Sequence, residues 1–100
     1  MIFIIYLNVH NQLTLLHDLL DEQITFKTVS MHEYKQIKRL VQTIISNKEM
    51  DQELLTVLPQ IYYYGIKGEV AHSYSDHIEE NKNNIQKWLE TINRTKVKIS

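Results

Sequence analysis

The sequence predicts an all-α fold, a small antiparallel bundle of about four helices with an apolar N-terminal arm. Glycine occurs twice and proline once in 100 residues, so the chain has few turn signals. All-β sandwiches and barrels need such signals every ~8–12 residues. Apolar residues instead recur at three- and four-residue spacings over long segments, which is the period of an amphipathic helix.

The composition indicates one small globular domain. Hydrophobic residues make up 43% of the chain and charged residues 23%, an ordinary balance for a folded protein. The formal net charge of −1 is too small to argue for nucleic acid from the protein's field alone. The chain has no cysteine, which excludes disulfides and thiolate metal sites and fits a reducing cytoplasm.

Residues 1–7, MIFIIYL, form a short apolar segment. The segment is far shorter than the ~20 residues of a membrane-spanning helix. It also lacks the basic region and the cleavage site of a signal peptide, so we expect no membrane partner. Its isoleucines and aromatic residues favour an extended arm packed on the domain. An extra turn of helix and a disordered start are the alternatives.

A first helix is predicted from Asn8 to Ile24. Either Asn8 or Asn11 can cap its N-terminus. Its apolar positions follow a helical period and are Val9, Leu13, Leu16, Leu20 and Ile24.

A second helix has the strongest signals in the chain. Ser30 followed by Glu33 is the capping-box pattern, in which the serine hydroxyl accepts from the glutamate amide. Val29 and Tyr34 occupy the flanking apolar positions of that motif. Asn47 is suited to the left-handed conformation that ends a helix. The apolar face comprises Tyr34, Ile37, Leu40, Val41, Ile44 and Ile45.

A third helix is predicted from Asp51, its N-cap, to Gly65. Pro59 lies inside this segment, where it removes a backbone hydrogen bond. We expect a kinked helix, and the alternative is a break into two helices near Pro59.

Three consecutive tyrosines near the end of this helix cannot share one buried face, because successive helical residues point ~100° apart. Tyr62 follows Leu55 and Leu58 at seven and four positions and is predicted to be largely buried. Tyr63 is predicted to be distinctly more exposed, either in contact with a partner or lying flat over a neighbouring element. The candidate interface residues are Tyr63, Tyr64, Phe3 and Ile5.

A last helix opens at Ser73 or Ser75 and is predicted to end near Arg94. Its apolar face comprises Ile78, Ile85, Trp88, Leu89 and Ile92. The predicted domain therefore spans residues 8–94, followed by a frayed tail at 95–100.

The sequence contains no catalytic or cofactor-binding motif of the common families. Histidine and carboxylate residues form two groups that are worth testing for metal binding. However, His72 and His77 are five apart, which places them ~140° out of line on a helix. We therefore predict no enzyme activity, no cofactor and no metal site. The two groups are His10, His17 and Asp21, and His72, Asp76, His77 and Glu80.

A short basic stripe on the second helix, Lys35, Lys38 and Arg39, is the candidate for contacts to phosphate. Acidic residues nearby dilute its field, so a solvated helix face is the simpler interpretation. A nucleic-acid-associated regulator using this stripe is the alternative function.

Several short motifs resemble the YtzH-like family of small Bacillus-type proteins over about residues 8–93. The MIFIIYL start departs from that family's pattern, which begins close to NQLTLL. The resemblance implies a bacterial, cytoplasmic protein of uncharacterised function, with no catalytic residues to transfer. The motifs are Asn11–Leu20, Thr28–Ser30, Glu33–Tyr34, Arg39–Val41, Ile61–Gly65, Asp76–Ile78 and Trp88.

The leading functional hypothesis is a non-enzymatic protein-interaction module or a homodimer. It depends on an apparent surplus of apolar and aromatic surface in a domain without catalytic motifs. That surplus comprises the MIFIIYL segment, the tyrosine run and Trp88.

Overall fold

The structure is a computed structural model that describes residues 9–27, 29–46 and 51–99, with side chains described to residue 95. The predicted arm at residues 1–7, including Phe3 and Ile5, lies outside these ranges, as do the predicted caps Asn8 and Asn47. The described residues form five α-helices, which confirms the all-α prediction and corrects the helix number. The helices are α1 (Val9–Phe26), α2 (Met31–Ile45), α3 (Gln52–Glu69), α4 (Tyr74–Glu80) and α5 (Lys82–Ile99).

Four helices form a closed ring in which α1 packs against α2, α2 against α3, α3 against α5, and α5 against α1. The pair α2 and α3 is antiparallel, since Gln42 late in α2 donates to Tyr62 in mid-α3 and Tyr34 early in α2 lies against Gly68 near the end of α3. Short α4 contacts α1 and α5 at one end of the ring.

The core lies inside this ring and receives residues from all five helices. Most of the positions predicted to be apolar helix faces are buried there, but Ile45 is exposed and four others are only half-buried: Val9, Ile24, Leu40 and Leu89. The buried apolar residues among those described are Leu13, Leu16, Leu20, Tyr34, Ile37, Val41, Ile44, Leu54, Val57, Leu58, Ile61, Tyr64, Ile78, Ile85, Trp88 and Ile92. None of the described helices is both long and apolar enough to cross a membrane.

The N-caps predicted for the second, third and last helices are in place, although one uses a different hydrogen bond, while Asn11 lies inside α1. Asp51 accepts from the Glu53 amide at 3.1 Å, and Ser73 accepts from the Asp76 amide at 3.2 Å. Ser30 is the N-cap of α2, but its hydroxyl makes no capping hydrogen bond to any residue that the structure describes. The Glu33 amide bonds to the backbone carbonyl of Ser30 instead, so the predicted capping box is wrong in its side-chain part.

The third helix does not end at Gly65. It continues through Gly65 and Gly68 to Glu69, and it is unbroken at Pro59. Both glycines are buried on the side of α3 that faces α2. A Cβ atom on Gly68 would overlap the ring of Tyr34, so this glycine allows close approach of two helices and does not end one.

The predicted last helix is divided at Asn81 into α4 and α5. The Asn81 side chain donates to the His77 carbonyl at 2.8 Å, while its own carbonyl accepts from the Ile85 amide. Asparagine thus ends one helix and starts the next by competing for backbone hydrogen bonds. At the other end, α5 continues beyond the predicted boundary at residue 95, because Thr95 extends the buried face of Ile92.

Candidate functional site

An open cleft of about 750 Å³ lies at the end of the bundle where α3, α4 and α5 meet. One side is the second half of α3, the other is α4 with the first turns of α5, and the connection 70–73 closes the end. The lining residues are Gln60, Tyr63, Tyr64, Lys67, Val70, Ala71, His72, Ser73, Asp76, His77, Glu80, Asn81, Asn84 and Trp88.

A cluster of aromatic rings forms the floor of the cleft. The imidazole of His77 is stacked on the ring of Tyr64, with centroids 4.6 Å apart and an interplanar angle of 14°. Trp88 and Tyr34 meet the same tyrosine edge-on, each with its centroid 5.6 Å away. Such pairs are favourable beyond their area of burial, so the floor is a rigid platform.

Hydrogen bonds fix the orientation of the rings in this platform. Nε2 of His77 lies 3.1 Å from the Tyr64 carbonyl, and because a carbonyl only accepts, Nε2 is the protonated nitrogen. Nε1 of Trp88 donates to the Gln60 side chain at 3.0 Å. Nε2 of His77 and Nε1 of Trp88 are therefore already committed to protein partners.

One hydrogen bond joins the platform to the far side of the core. The Tyr64 hydroxyl donates to Oε1 of Gln23 at 2.6 Å, and Gln23 is completely buried on α1. Burial, and then the neighbouring Tyr34, raise the pKa of Tyr64 far above its usual value. Burial likewise raises the pKa of Tyr34. Both phenols therefore stay neutral across the physiological range.

The α3 side of the cleft ends in an exposed rim, defined here as Tyr63, Ile66, Lys67 and Val70 (the α3 rim). Tyr63 is 59% exposed and Val70 is 76% exposed. Nζ of Lys67 lies 5.3 Å from the centroid of the Tyr63 ring, within the range of a cation–π interaction. The rim therefore combines apolar surface with a ring face that already attracts a cation.

The α4 side of the cleft is acidic. Asp76 and Glu80 are four residues apart on α4, which places them on the same face of the helix, and both line the cleft. Neither carboxylate forms an ion pair with a residue that the structure describes. Neighbouring Glu79 differs, because Lys27, which directly follows α1, hydrogen-bonds to it at 2.8 Å and lowers its pKa.

The predicted interface residues have different fates. Tyr63 is exposed as predicted and lies at the cleft, whereas Tyr64 is 3% exposed and belongs to the core. The correction for Tyr64 follows from its position: three residues after Ile61 it shares the buried face of α3 and reaches Gln23. Tyr62 is half-buried, less than predicted, because its hydroxyl extends to the surface and accepts from Gln42.

Trp88, which the sequence suggested as surplus apolar surface, is 3% exposed and lies in the core. Phe3 and Ile5 lie outside the described residues.

The basic stripe of α2 is partly neutralised. Lys38 forms an ion pair with Glu69 of α3, while Lys35 and Arg39 are exposed. Over residues 9–27, 29–46 and 51–95, no three histidine or carboxylate side chains converge in a way that suits a metal ion. Nδ1 of His17 lies 3.4 Å from Oδ1 of Asp18.

Sequence reasoning missed Lys67 and considered Asp76 and Glu80 only as metal ligands. A usable signal was present, because Asp76 and Glu80 have the spacing of one helix face and Lys67 follows Tyr63 by four residues. Whether these two pairs line the same cleft depends on how α4 packs relative to α3, and local sequence patterns do not specify that packing.

Comparisons with known proteins give one family and one relative. The family model described as YtzH-like protein matches residues 7–92. The chain is 29% identical over 86 residues to the uncharacterised protein YtzH of Bacillus subtilis (strain 168). The aligned region covers 86% of this chain and 94% of that protein. No solved structure gives a significant match.

Proposed function

This chain belongs to the YtzH-like protein family, and we propose that it is a cytoplasmic, non-enzymatic protein-interaction module that binds through the cleft and the α3 rim. The observation on which the proposal depends is Tyr63, whose ring is 59% exposed at the edge of an open cleft. Exposed tyrosines offer a large, rigid contact area at low entropic cost and are enriched among residues that dominate binding energy.

The surroundings of Tyr63 favour binding. Ile66 follows it by three positions on the outer face of α3, and exposed Val70 comes directly after the helix. The platform below is held by stacked rings and by hydrogen bonds, so a partner would meet a preformed surface. Preformed surfaces lose less conformational entropy on association.

The same contacts are a poor basis for catalysis. The Ser73 hydroxyl accepts from the Asp76 amide and caps α4, and Nε2 of His77 donates to the Tyr64 carbonyl. Neither group is arranged as a nucleophile with its base, which must lie within hydrogen-bond reach of each other. A binding role therefore fits the cleft better than acid–base or nucleophilic chemistry.

Crosslinking in native cells tests the proposal with three forms of the protein: wild type, Tyr63→Ala and Phe26→Ala. Phe26 is an aromatic residue that is at least as exposed as Tyr63 but does not line the cleft, so its removal is the matched control. We expect wild type and Phe26→Ala to crosslink the same partner, and Tyr63→Ala to lose about nine-tenths of the product. The proposal is wrong if wild type yields no specific product, or if Tyr63→Ala yields as much as wild type.

The alternative function, regulation through nucleic acid, has weaker support. Its three candidate residues include Lys38, whose charge is offset by Glu69. Arg94, a basic residue outside the stripe, likewise forms an ion pair with the carboxylate of Glu53 at 3.0 Å. Of the stripe, Lys35 and Arg39 are left without an ion pair among the described residues, and two cations are few for a function in which phosphate contacts dominate affinity.

A further inference from the structure

We propose that the cleft recognises a basic segment of the partner protein, with an arginine side chain placed between the ring of Tyr63 and the carboxylates of Asp76 and Glu80. The proposal rests on the interaction function above and specifies the chemistry of its partner. The observation behind it is that one open cleft contains an aromatic ring on α3 and two carboxylates on α4 that form no ion pair with any described residue.

Charge in the cleft favours a cation. Three formally charged side chains line it: the carboxylates of Asp76 and Glu80 and the ammonium of Lys67. Lys67 lies over the Tyr63 ring and forms no ion pair of its own with the described residues. Among the described residues, no basic side chain lies within ion-pairing distance of either carboxylate.

The geometry of the carboxylates suits a guanidinium. Residues four apart on a helix have Cβ atoms about 5–6 Å apart, close enough for both carboxylates to reach one planar, five-donor group. Hydrogen bonds between arginine and carboxylates are among the strongest in proteins, and they are also strongly directional.

The ring of Tyr63 supplies the second contact. An internal cation, Nζ of Lys67, already lies 5.3 Å from its centroid, so this ring attracts positive charge in the free protein. An incoming guanidinium can stack on a ring face, which a compact ammonium does less well. Because 59% of Tyr63 is exposed, the ring is accessible from the cleft side without unfolding the helix.

A minimal peptide tests the inference directly. The probe is an acetylated, amidated pentapeptide of alternating glycine and arginine, and its analogue with neutral citrulline is the matched control. Binding is followed by ¹H–¹⁵N NMR, which reports both the affinity and the amides that shift. We expect shifts concentrated at residues of the cleft with the arginine peptide and at least tenfold weaker binding of the citrulline peptide.

Two double variants that remove the same amount of negative charge distinguish a specific binding site from nonspecific electrostatic attraction. Asp76→Asn/Glu80→Gln removes both carboxylates of the cleft, and Asp21→Asn/Glu22→Gln removes two exposed carboxylates of α1. We expect the first to weaken binding by about tenfold or more and the second by less than about twofold. Glu80→Gln alone, at the last residue of α4, repeats the test if the double variant is poorly folded.

The results distinguish this inference from the proposed function. Absence of cleft shifts at millimolar peptide, equal binding of the citrulline peptide, or equal losses in the two double variants would overturn the arginine site. Crosslinking to the native partner that depends on Tyr63 but not on Asp76 and Glu80 would also overturn it, while leaving the interaction function intact. Loss of crosslinking in both the Tyr63 and the carboxylate variants supports both.

Discussion

The Tyr64 hydroxyl of α3 donates a hydrogen bond of 2.6 Å to Gln23, a fully buried side chain of α1. The two residues are 41 positions apart in sequence. They connect the aromatic floor of the cleft to the helix on the other side of the core. This contact leads to the first prediction.

Tyr64→Phe should lower the free energy of unfolding by about 1–3 kcal/mol, because it leaves the side-chain oxygen Oε1 of Gln23 buried without its hydrogen-bond donor. Urea denaturation measures the change. Tyr63→Phe removes the same hydroxyl from an exposed ring and should change the free energy by less than about 0.5 kcal/mol. Equal effects of the two substitutions would contradict the role assigned to this hydrogen bond.

Alkaline pH should destabilise the protein. The folded state raises the pKa values of Tyr34 and Tyr64 above the ordinary value of 10.0. Above about pH 10 the unfolded chain loses these protons and the folded chain keeps them, so the free energy of unfolding falls as pH rises. Below about pH 10 both tyrosines are protonated in the folded and the unfolded state, so their contribution to the free energy of unfolding is fully present.

Urea denaturation at about pH 8 and pH 10.5 tests this pH dependence. The control is Tyr64→Phe, which has one raised group fewer and should lose less stability between the two pH values. A free energy of unfolding in wild type that is the same at both pH values would contradict the burial of these phenols.

Gly68→Ala should destabilise the protein by about 1–3 kcal/mol, although alanine is the better helix former by about 1 kcal/mol. The added Cβ would overlap the ring of Tyr34, which is buried and cannot withdraw. Gly65→Ala is the matched control, because its Cβ would lie 2.7 Å from Cγ of the flexible Lys38 side chain. It should cost less, and a larger loss at Gly65 than at Gly68 would refute this account of the packing.

Tyr63→Ala should change the free energy of unfolding by less than about 1 kcal/mol, whereas Tyr64→Ala should cost about 3–5 kcal/mol, the range for loss of a large buried ring. Thermal unfolding followed by circular dichroism compares the two variants. Tyr62, which is half-buried, should fall between them. A large loss of stability from Tyr63→Ala would mean that this ring is part of the fold and would remove the main support for an interface at the rim.

Nucleic acid should not bind at physiological salt. With Lys38 paired to Glu69, the α2 stripe keeps two exposed cations, Lys35 and Arg39, and the formal net charge is −1. Titration of labelled RNA and DNA at about 0.05 M and 0.15 M salt checks this, because binding driven by phosphate weakens steeply with salt. Tight binding that Lys35→Ala/Arg39→Ala abolishes would favour the alternative function.

Helical period alone predicted most of the core. Most residues at three- and four-residue spacings in α1 and α2 are buried as expected, because each amphipathic helix has one apolar face to bury, whereas Ile45 at the end of α2 is exposed. Gln23 occupies a position on the same face of α1, three residues after Leu20, but its polarity hid it. Its burial depends on Tyr64 as a partner, which is a tertiary contact.

The errors at helix ends have a common cause. Gly65 and Asn81 both belong to residue types that can end helices. Gly65 was predicted to end α3 but lies within it, whereas Asn81 was not predicted to end a helix but divides α4 from α5. Glycine permits either a turn or close packing, and the neighbouring helix decides which one occurs. The cleft also depends on tertiary packing. Its two sides come from separate helices, and their approach depends on the break at Asn81.

The position of α5 in the ring also governs when the protein can fold during its synthesis. The core lacks Ile85, Trp88 and Ile92 until α5 packs against α1 and α3. While the ribosome still holds that helix, the chain already emerged presents the apolar faces of α1 and α3 to water. The core can therefore close only after α5 has emerged and packed against α1 and α3.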